Sequence, residues 1–207
     1  MTNKVALSLK NVACVHVINQ YRNFAIDRKK ITQIVTEISR RLGVAQYEIC
    51  VQFVSPRRMR SLNKTYRQQD KSTDVLSFPQ CEWKRPLKVK KSLAPEVKIL
   101  NPMPLGDVVI SAHDARLNSI SCGHDLAQEV CFLMIHGILH LVGHDHMKAR
   151  EKIRMFTEQK KLMRIFAGGK SRKPQWNDCI RQVKTRPAIS KNNTNSGNQR
   201  RSKRNTK

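Results

Sequence analysis

The feature that most constrains the fold is a nearly continuous apolar run from Val130 to Val142, interrupted only by histidines and one glycine. A helix that is apolar all round must lie at the centre of a protein, and this run is too short to span a bilayer. His136 and His140 are four residues apart, so they share one face of a helix. The run therefore predicts a central helix that carries two imidazoles.

A third histidine, His146, follows a glycine that can end this helix. Gly143 can adopt a left-handed conformation, after which the chain could turn back toward His136 and His140. Three imidazole nitrogens at one point would bind a zinc-like ion and leave a fourth position for water. We therefore predict one Zn²⁺ per chain, held by His136, His140 and His146, because polar rings in so apolar a run need partners.

The same spacing occurs in the long zinc-protease motif, with one important difference. That motif carries a catalytic glutamate directly after its first histidine, and this chain has Gly137 there. Because glycine supplies no carboxylate, the spacing predicts the metal site of such an enzyme but disfavours peptide hydrolysis.

The chain is strongly basic, with 40 Lys and Arg residues against 15 Asp and Glu and a formal net charge of +25. This excess favours binding to phosphate backbones, and neither a lipidation motif nor a long apolar segment supports a membrane surface. Residues 168–207 hold twelve Lys and Arg residues and one acid, which is Asp178. We predict a folded domain over 1–167 and a basic, disordered tail over 168–207.

Apolar alternation and helix caps predict about four strands and five helices. The strands are expected at 12–18, 47–54, 73–78 and 107–111, and the helices after Asp27, Ser55 and Ser111 and over 130–142 and 148–166. Between two of the strands lies a loop insertion, 80–105, with four prolines and six basic residues. Two interpretations stay open, a solvated insertion and a flexible basic flap over a polyanion.

The cysteines and the first residues bear on location. The six cysteines include no Cys-x-x-Cys pair, and no secretory signal opens the sequence. Both observations predict reduced thiols and a cytoplasmic protein. Residues 1–26 contain no acid, which leaves organelle targeting as an alternative.

Three motifs in order resemble the YbeY family of metal-dependent endoribonucleases, over roughly residues 10–165. They are Asn-x-x-Tyr-Arg with Thr-Asp-Val-Leu-Ser-Phe-Pro at 63–79, Gly-Asp-Val-Val-Ile-Ser at 106–111, and the histidine block at 136–146. The resemblance implies an α+β fold, a small mixed sheet packed with helices and the metal helix inside. It implies His136, His140 and His146 as zinc ligands, and Arg67 as the functional arginine facing the metal cleft.

The resemblance also implies a substrate and partners. It predicts cleavage of single-stranded RNA in ribosomal RNA maturation, at the 3′ end of the small-subunit RNA, and in ribosome quality control. The expected partners are ribosomal RNA precursors, ribosomal subunits and a ribosomal protein or a GTPase, without a membrane or a small organic cofactor. RNA contacts are expected from the tail, through Lys170, Arg172, Lys173, Arg200 and Arg201.

Two departures from the family pattern carry expectations of their own. Ser72 stands where proline is usual, which predicts a looser turn before Thr73. His144 stands where an aromatic is usual; it could compete for the ion or line the cleft, and we favour the cleft. Asp145, between ligands, could orient a histidine or cap the turn after Gly143, and both roles stay open.

Two alternative functions remain beside the ribonuclease. One is a zinc metallopeptidase-like hydrolase on the same ligand spacing, which Gly137 disfavours. The other is a non-catalytic, zinc-containing, ribosome-associated protein. Its metal site would be closed by a fourth protein ligand, for which His144 is the nearby candidate.

Overall fold

A mixed four-stranded sheet lies at the centre of the computed structural model, which describes residues 14–90, 101–168 and 173–183. In chain order the strands are β1 (Cys14–Asn19), β2 (Phe24–Ile26), β3 (Glu48–Val54), β4 (Val75–Pro79), β5 (Pro104–Ser111) and β6 (Ile180–Gln182). The sheet has the order β1-β3-β5-β4, with β4 antiparallel to β5 and the other neighbours parallel. Strands β2 and β6 form a separate antiparallel pair.

Five helices pack about the sheet, as predicted: α1 (Arg28–Leu42), α2 (Pro56–Arg67), α3 (Ala112–Cys122), α4 (Leu126–Leu141) and α5 (Ala149–Phe166). Three of them begin at the predicted caps. The side chains of Asp27, Ser55 and Ser111 each accept a hydrogen bond from a backbone N–H in the first turn of α1, α2 and α3. The four-stranded mixed sheet and the five helices confirm the predicted α+β class.

Helix α4 is the central helix that its apolar run predicts. It packs against β4 and β5 and against helices α1, α3 and α5. Residues on all its sides are buried, among them Val130, Leu133, Ile135 and Leu139. Because neighbours fix it on every side, side chains that leave α4 toward solvent hold defined positions. Among the described residues, no helix has the length and apolarity that crossing a bilayer requires.

The chain after α5 differs from the sequence-based expectation. Residues 173–183, expected to be part of a disordered tail, pack against the body, and Trp176, Cys179 and Ile180 are buried. Strand β6 pairs with β2, and the backbone N–H of Asp27 donates to the carbonyl of Cys179 at 2.9 Å. This part of the tail prediction is wrong because three apolar side chains and a free strand edge offset the cost of ordering the segment. Residues 184–207 lie outside the described residues.

The insertion after β4 is attached to the body over its described part. The Trp83 indole N–H donates to the carbonyl of Leu141 at 2.9 Å, and the Leu87 N–H donates to that of Val142 at 3.2 Å. Farther along, the Val89 N–H donates to the Glu158 carboxylate at 2.8 Å. Residues 83–90 therefore form a fixed wall beside α4 and α5. Residues 91–100 lie outside the described part, and β5 begins at Pro104, earlier than predicted.

Candidate metal centre

His136, His140 and His146 meet at one point, as their spacing predicts. One potential ligand atom from each ring lies within 4.8 Å of the others. The ring centroids are 4.9 Å apart for His136 and His140, 5.4 Å for His136 and His146, and 5.0 Å for His140 and His146. The three rings thus surround a common centre at the carboxyl end of α4.

Two of the rings are oriented by acceptors on their far side. The Nδ1–H of His140 donates to the backbone carbonyl of His144 at 2.9 Å, and that of His136 donates to Gln159 Oε1 of α5 at 3.2 Å. Each Nε2 is therefore left with a lone pair facing the shared centre. The two Nε2 atoms are 3.2 Å apart. Two imidazoles bound tetrahedrally to zinc would stand about 3.3 Å apart, so the pair fits a metal ion.

Burial keeps these two imidazoles neutral. It lowers the pKa of His136, and it lowers that of His140 to about 4, with further lowering from the neighbouring histidines. A neutral imidazole is the form that binds a metal. The pair is therefore ready to coordinate at neutral pH without first losing a proton.

The turn after α4 carries the third ring. Gly143 has φ +88°, the left-handed conformation expected of it, and Asp145 Oδ1 accepts from the backbone N–H of His146 at 2.7 Å. This bond favours the turn-capping role for Asp145. The ring of His144 points elsewhere: it is buried, and its Nε2–H donates to the carbonyl of Leu87 at 2.6 Å. Because the insertion supplies that acceptor, the expectation that the His144 ring lines the metal cleft is wrong.

Arg67 lies in the same cleft as the three histidines, about 230 Å³ in volume, at the carboxyl end of α2. Helix α2 ends there because Gln68 adopts φ 57°, and the buried Asn63 donates through Nδ2 to the carbonyl of Lys71 at 2.9 Å. These two residues turn the chain so that Arg67 and the start of β4 face the histidines.

The turn before β4 is anchored although it lacks the usual proline. The Ser72 hydroxyl donates to the carboxylate of Asp114 at 2.6 Å, and Ser111 hydrogen-bonds to the same carboxylate. Asp114 thereby ties the turn to the first turn of α3. This contact contradicts the expected looser turn, because a side-chain hydrogen bond replaces the restraint that proline would have imposed.

Asp74 supplies a carboxylate to the cleft, but three donors already hold it. Its Oδ1 accepts from the Val75 N–H at 2.8 Å and from the Thr73 hydroxyl at 3.1 Å, and its Oδ2 accepts from Asn118 at 2.9 Å. A carboxylate held in this way is suited to fixing the cleft wall and to placing negative charge near His136.

Gly137 has no room for a side chain. A Cβ atom there would lie 2.5 Å from Val108 Cγ1 and 3.1 Å from Ser77 Oγ. The close approach of α4 to β4 and β5 therefore excludes the glutamate that a zinc protease carries at this position. This contact strengthens the sequence-based argument against a metallopeptidase.

Some site residues were not identified from the sequence, and others lie outside the described residues. Gln159 and Asn63 carry no spacing signal, since each acts through a contact with a distant segment. Of the five tail residues expected to contact RNA, Lys173 is described and exposed. The other four, Lys170, Arg172, Arg200 and Arg201, lie outside the described residues.

Comparison with known proteins places the chain in a family. The family model described as Endoribonuclease YbeY matches residues 16–167. A protein named Endoribonuclease YbeY from Oceanobacillus iheyensis is 33% identical over 155 residues, which covers 73% of this chain and 87% of the relative. Its namesake from Aquifex aeolicus is 41% identical over 117 residues, covering 56% of this chain and 68% of the relative.

A solved structure is also similar. The solution structure of a Thermotoga maritima protein aligns with a TM-score of 0.47 and 22% identity, and it covers 72% of this chain and 86% of that chain. The family model spans the sheet, helices α1 to α5 and the cleft that the three histidines line. The resemblance seen in the sequence is confirmed, and the chain belongs to the Endoribonuclease YbeY family.

Proposed function

We propose that this protein is a zinc-dependent endoribonuclease that cleaves single-stranded RNA. The observation that carries the proposal is the cleft itself, which three metal-binding imidazoles and one arginine line together. A cation site beside a guanidinium suits a phosphodiester, because both groups attract the anionic oxygens of the scissile phosphate. Relatives of this chain carry the name endoribonuclease, which supports the same reaction class.

His136, His140 and His146 would hold the ion. Three neutral nitrogen ligands suit zinc, which is bound by three protein ligands in catalytic sites and leaves a position open. When bound, such an ion supplies Lewis acidity toward a phosphate oxygen or lowers the pKa of a water molecule. The bonds from His140 to the His144 carbonyl and from His136 to Gln159 keep the ligand rings oriented.

Arg67 would bind the scissile phosphate. Its guanidinium presents donors in a planar fork that matches two phosphate oxygens, and its charge offsets the charge that builds on them during cleavage. The side chain is exposed at the mouth of the cleft, where a flexible strand has access to it. Asp74 would limit how the strand enters, because its carboxylate repels phosphates on its side of the cleft.

A second cavity supports an extended RNA path. Lys84, Arg85 and Lys88 of the insertion face Arg154 and Lys161 of α5 across a groove of about 750 Å³. This basic groove reaches His144, whose carbonyl holds the ring of His140. We propose that phosphates of the bound strand lie in the basic groove. Glu158, on its wall, is already hydrogen-bonded to Lys161 and to the Val89 N–H.

The biological substrate we propose is precursor ribosomal RNA, at the 3′ end of the small-subunit RNA, with a further role in ribosome quality control. Its support is the family resemblance together with the net charge of +25, which favours a large polyanion such as a ribosomal subunit. The six cysteines are all unpaired among the described residues, which fits the reducing cytoplasm we predicted.

Metal analysis coupled to RNA cleavage tests the proposal. Purified protein should cleave a single-stranded RNA, leave the matching duplex intact, and lose activity in a chelator until zinc is restored. His136→Ala should lower zinc content and abolish cleavage. His113→Ala, at an exposed position of α3, serves as the control and should change neither. Chelator-resistant cleavage, or unchanged zinc content in His136→Ala, would refute the proposal.

A further inference from the structure

A second group of metal-binding side chains lies on the opposite face of the sheet from α4. Ile49, Val51 and Phe53 of β3 are buried in the core that α4 shares. Side chains alternate along a strand, so Glu48 faces the other way. Cys14 and His16 of β1 also alternate with core-facing residues, since Val15 and Val17 pack against that core. The three side chains therefore share one sheet face, away from the histidine centre.

Strand pairing brings these three residues together. Cys14 stands directly opposite Glu48 in the parallel β1–β3 pair, and His16 follows Cys14 by two residues on the same face. Their positions depend on backbone hydrogen bonds between two strands of the sheet, so the ligands are held without relying on a loop. His16 is 54% exposed and Glu48 38% exposed by side chain, which leaves the cluster open to ions from solvent.

The distances within this cluster match the edges of a zinc tetrahedron. Cys14 Sγ lies 3.5 Å from His16 Nε2 and 3.7 Å from Glu48 Oε2, and His16 Nε2 lies 3.5 Å from Glu48 Oε1. Zinc bonds of ordinary length to sulfur, nitrogen and oxygen place such donor atoms about 3.4–3.6 Å apart. An ion could therefore bind with little movement of the three side chains.

We propose that Cys14, His16 and Glu48 form a second metal site that binds Zn²⁺ or a similar borderline-soft divalent ion. A thiolate, an imidazole and a carboxylate together favour zinc over Mg²⁺ or Ca²⁺, which prefer oxygen ligands alone. The fourth position is left for water. Neither the ligand set nor the sheet face is shared with the histidine centre, so this site does not depend on the proposed ribonuclease function.

Metal binding at this site releases a proton. Partial burial and the neighbouring Glu48 carboxylate raise the pKa of the Cys14 thiol, so the metal-free protein keeps the proton on sulfur. When the ion binds, the sulfur–metal bond replaces the S–H bond and the proton leaves to solvent. Binding should therefore weaken as pH falls. The bound ion would also link β1, at the edge of the sheet, to β3, and it should raise resistance to unfolding.

Cobalt provides a direct test because a thiolate bound to Co²⁺ gives a charge-transfer absorption in the near ultraviolet. The histidine centre contains no thiolate and cannot produce this absorption. The reduced full-length protein should develop the band on Co²⁺ titration, and so should His136→Ala. Cys14→Ser should lose the band and bind one metal ion fewer per chain. Cys122→Ser, at an exposed cysteine on α3, is the matched control and should keep it.

A second variant separates loss of ligation from loss of folding. Glu48→Gln keeps the size of the side chain and removes its charge, so Co²⁺ affinity at this site should fall about tenfold or more, while cleavage of single-stranded RNA stays unchanged. Circular dichroism checks that each variant folds. A wild-type protein without the band, or a folded Cys14→Ser variant that keeps it, would overturn the proposal.

Discussion

The imidazole of His140 illustrates how single residues are prepared for metal binding. Its Nδ1–H is bound to the carbonyl of His144, and burial keeps the ring neutral. The spacing of His136 and His140 is visible in the sequence, but the acceptors that orient their rings belong to Gln159 and to the backbone of residue 144. Position along α4 therefore selects the ligands, while contacts from other segments decide which nitrogen faces the ion.

The metal-free protein should lose stability in a defined acidic range. Because the pKa of His140 falls from about 6.5 in the unfolded chain to about 4 in the fold, only the unfolded chain takes up this proton between those values. The free energy of unfolding is therefore highest above pH 6.5 and falls as the pH drops toward 4. Urea unfolding of chelated protein across this range measures the slope. His140→Gln should show a shallower slope, and an unchanged one would contradict the assignment.

Arg67 should matter for cleavage but not for metal binding. Arg67→Glu replaces the phosphate-binding charge with a repelling one, so we expect RNA cleavage to fall at least a hundredfold while zinc content stays at the wild-type value. Arg67→Lys keeps the charge without the planar fork and should retain an intermediate rate. Single-turnover cleavage assays and metal analysis measure both quantities. Wild-type rates in Arg67→Glu would exclude a role in the reaction.

At the scale of elements, the close packing of α4 on β4 and β5 decides what chemistry the helix can carry. Gly137 permits this approach, since Val108 leaves no space for a Cβ atom. Gly137→Ala should lower the free energy of unfolding by about 1–3 kcal/mol through overpacking. Combining it with Val108→Ala should recover part of the loss, which urea unfolding of the double-mutant cycle measures. Additive losses would contradict the proposed clash.

The insertion is an element whose bonds set its function. Its backbone is attached to α4 and α5, so Lys84 and Arg85 occupy fixed positions in the basic groove. Lys84→Glu with Arg85→Glu should weaken RNA binding and lower its salt dependence by about 0.7 per lost phosphate contact. Arg28→Glu with Lys29→Glu, exposed at the start of α1, is the control of equal charge. Equal losses in both variants would indicate that net charge alone governs binding.

At the scale of the whole molecule, the segment after α5 divides into a structural part and a part outside the described residues. Strand β6 and the buried Trp176 close one side of the core that also contains Phe24 and α4. Residues 184–207 contain eight Lys and Arg residues and no acid. The two parts should therefore contribute differently, the first to stability and the second to RNA affinity.

Two truncations separate these contributions. Removal of residues 184–207 should leave the unfolding midpoint unchanged and weaken RNA binding with a smaller salt slope. Removal of residues 168–207 should also destabilise the fold, and Trp176→Ala should reproduce that loss at about 3 kcal/mol without affecting RNA binding. Thermal unfolding and binding measured at several salt concentrations check both. Unchanged affinity after the shorter truncation would exclude the tail as an RNA-binding segment.

The sequence by itself determined the elements whose signals are local. The apolar run defines α4, the helical spacing pairs His136 with His140, and the caps at Asp27, Ser55 and Ser111 begin three helices. These patterns suffice because a helix is organised by contacts between residues three or four apart. The same holds for the motifs that place the chain in its family.

The tertiary structure alone decided features that join distant residues. The pairing of β6 with β2, the attachment of the insertion, the His144 ring on the Leu87 carbonyl and the cluster of Cys14 with Glu48 all have partners far apart in sequence. Neither composition nor periodicity encodes such partners, because each contact forms only after the sheet and α4 have brought the segments together. Composition averaged over residues 168–207 likewise concealed the three buried side chains that fold the segment at 173–183.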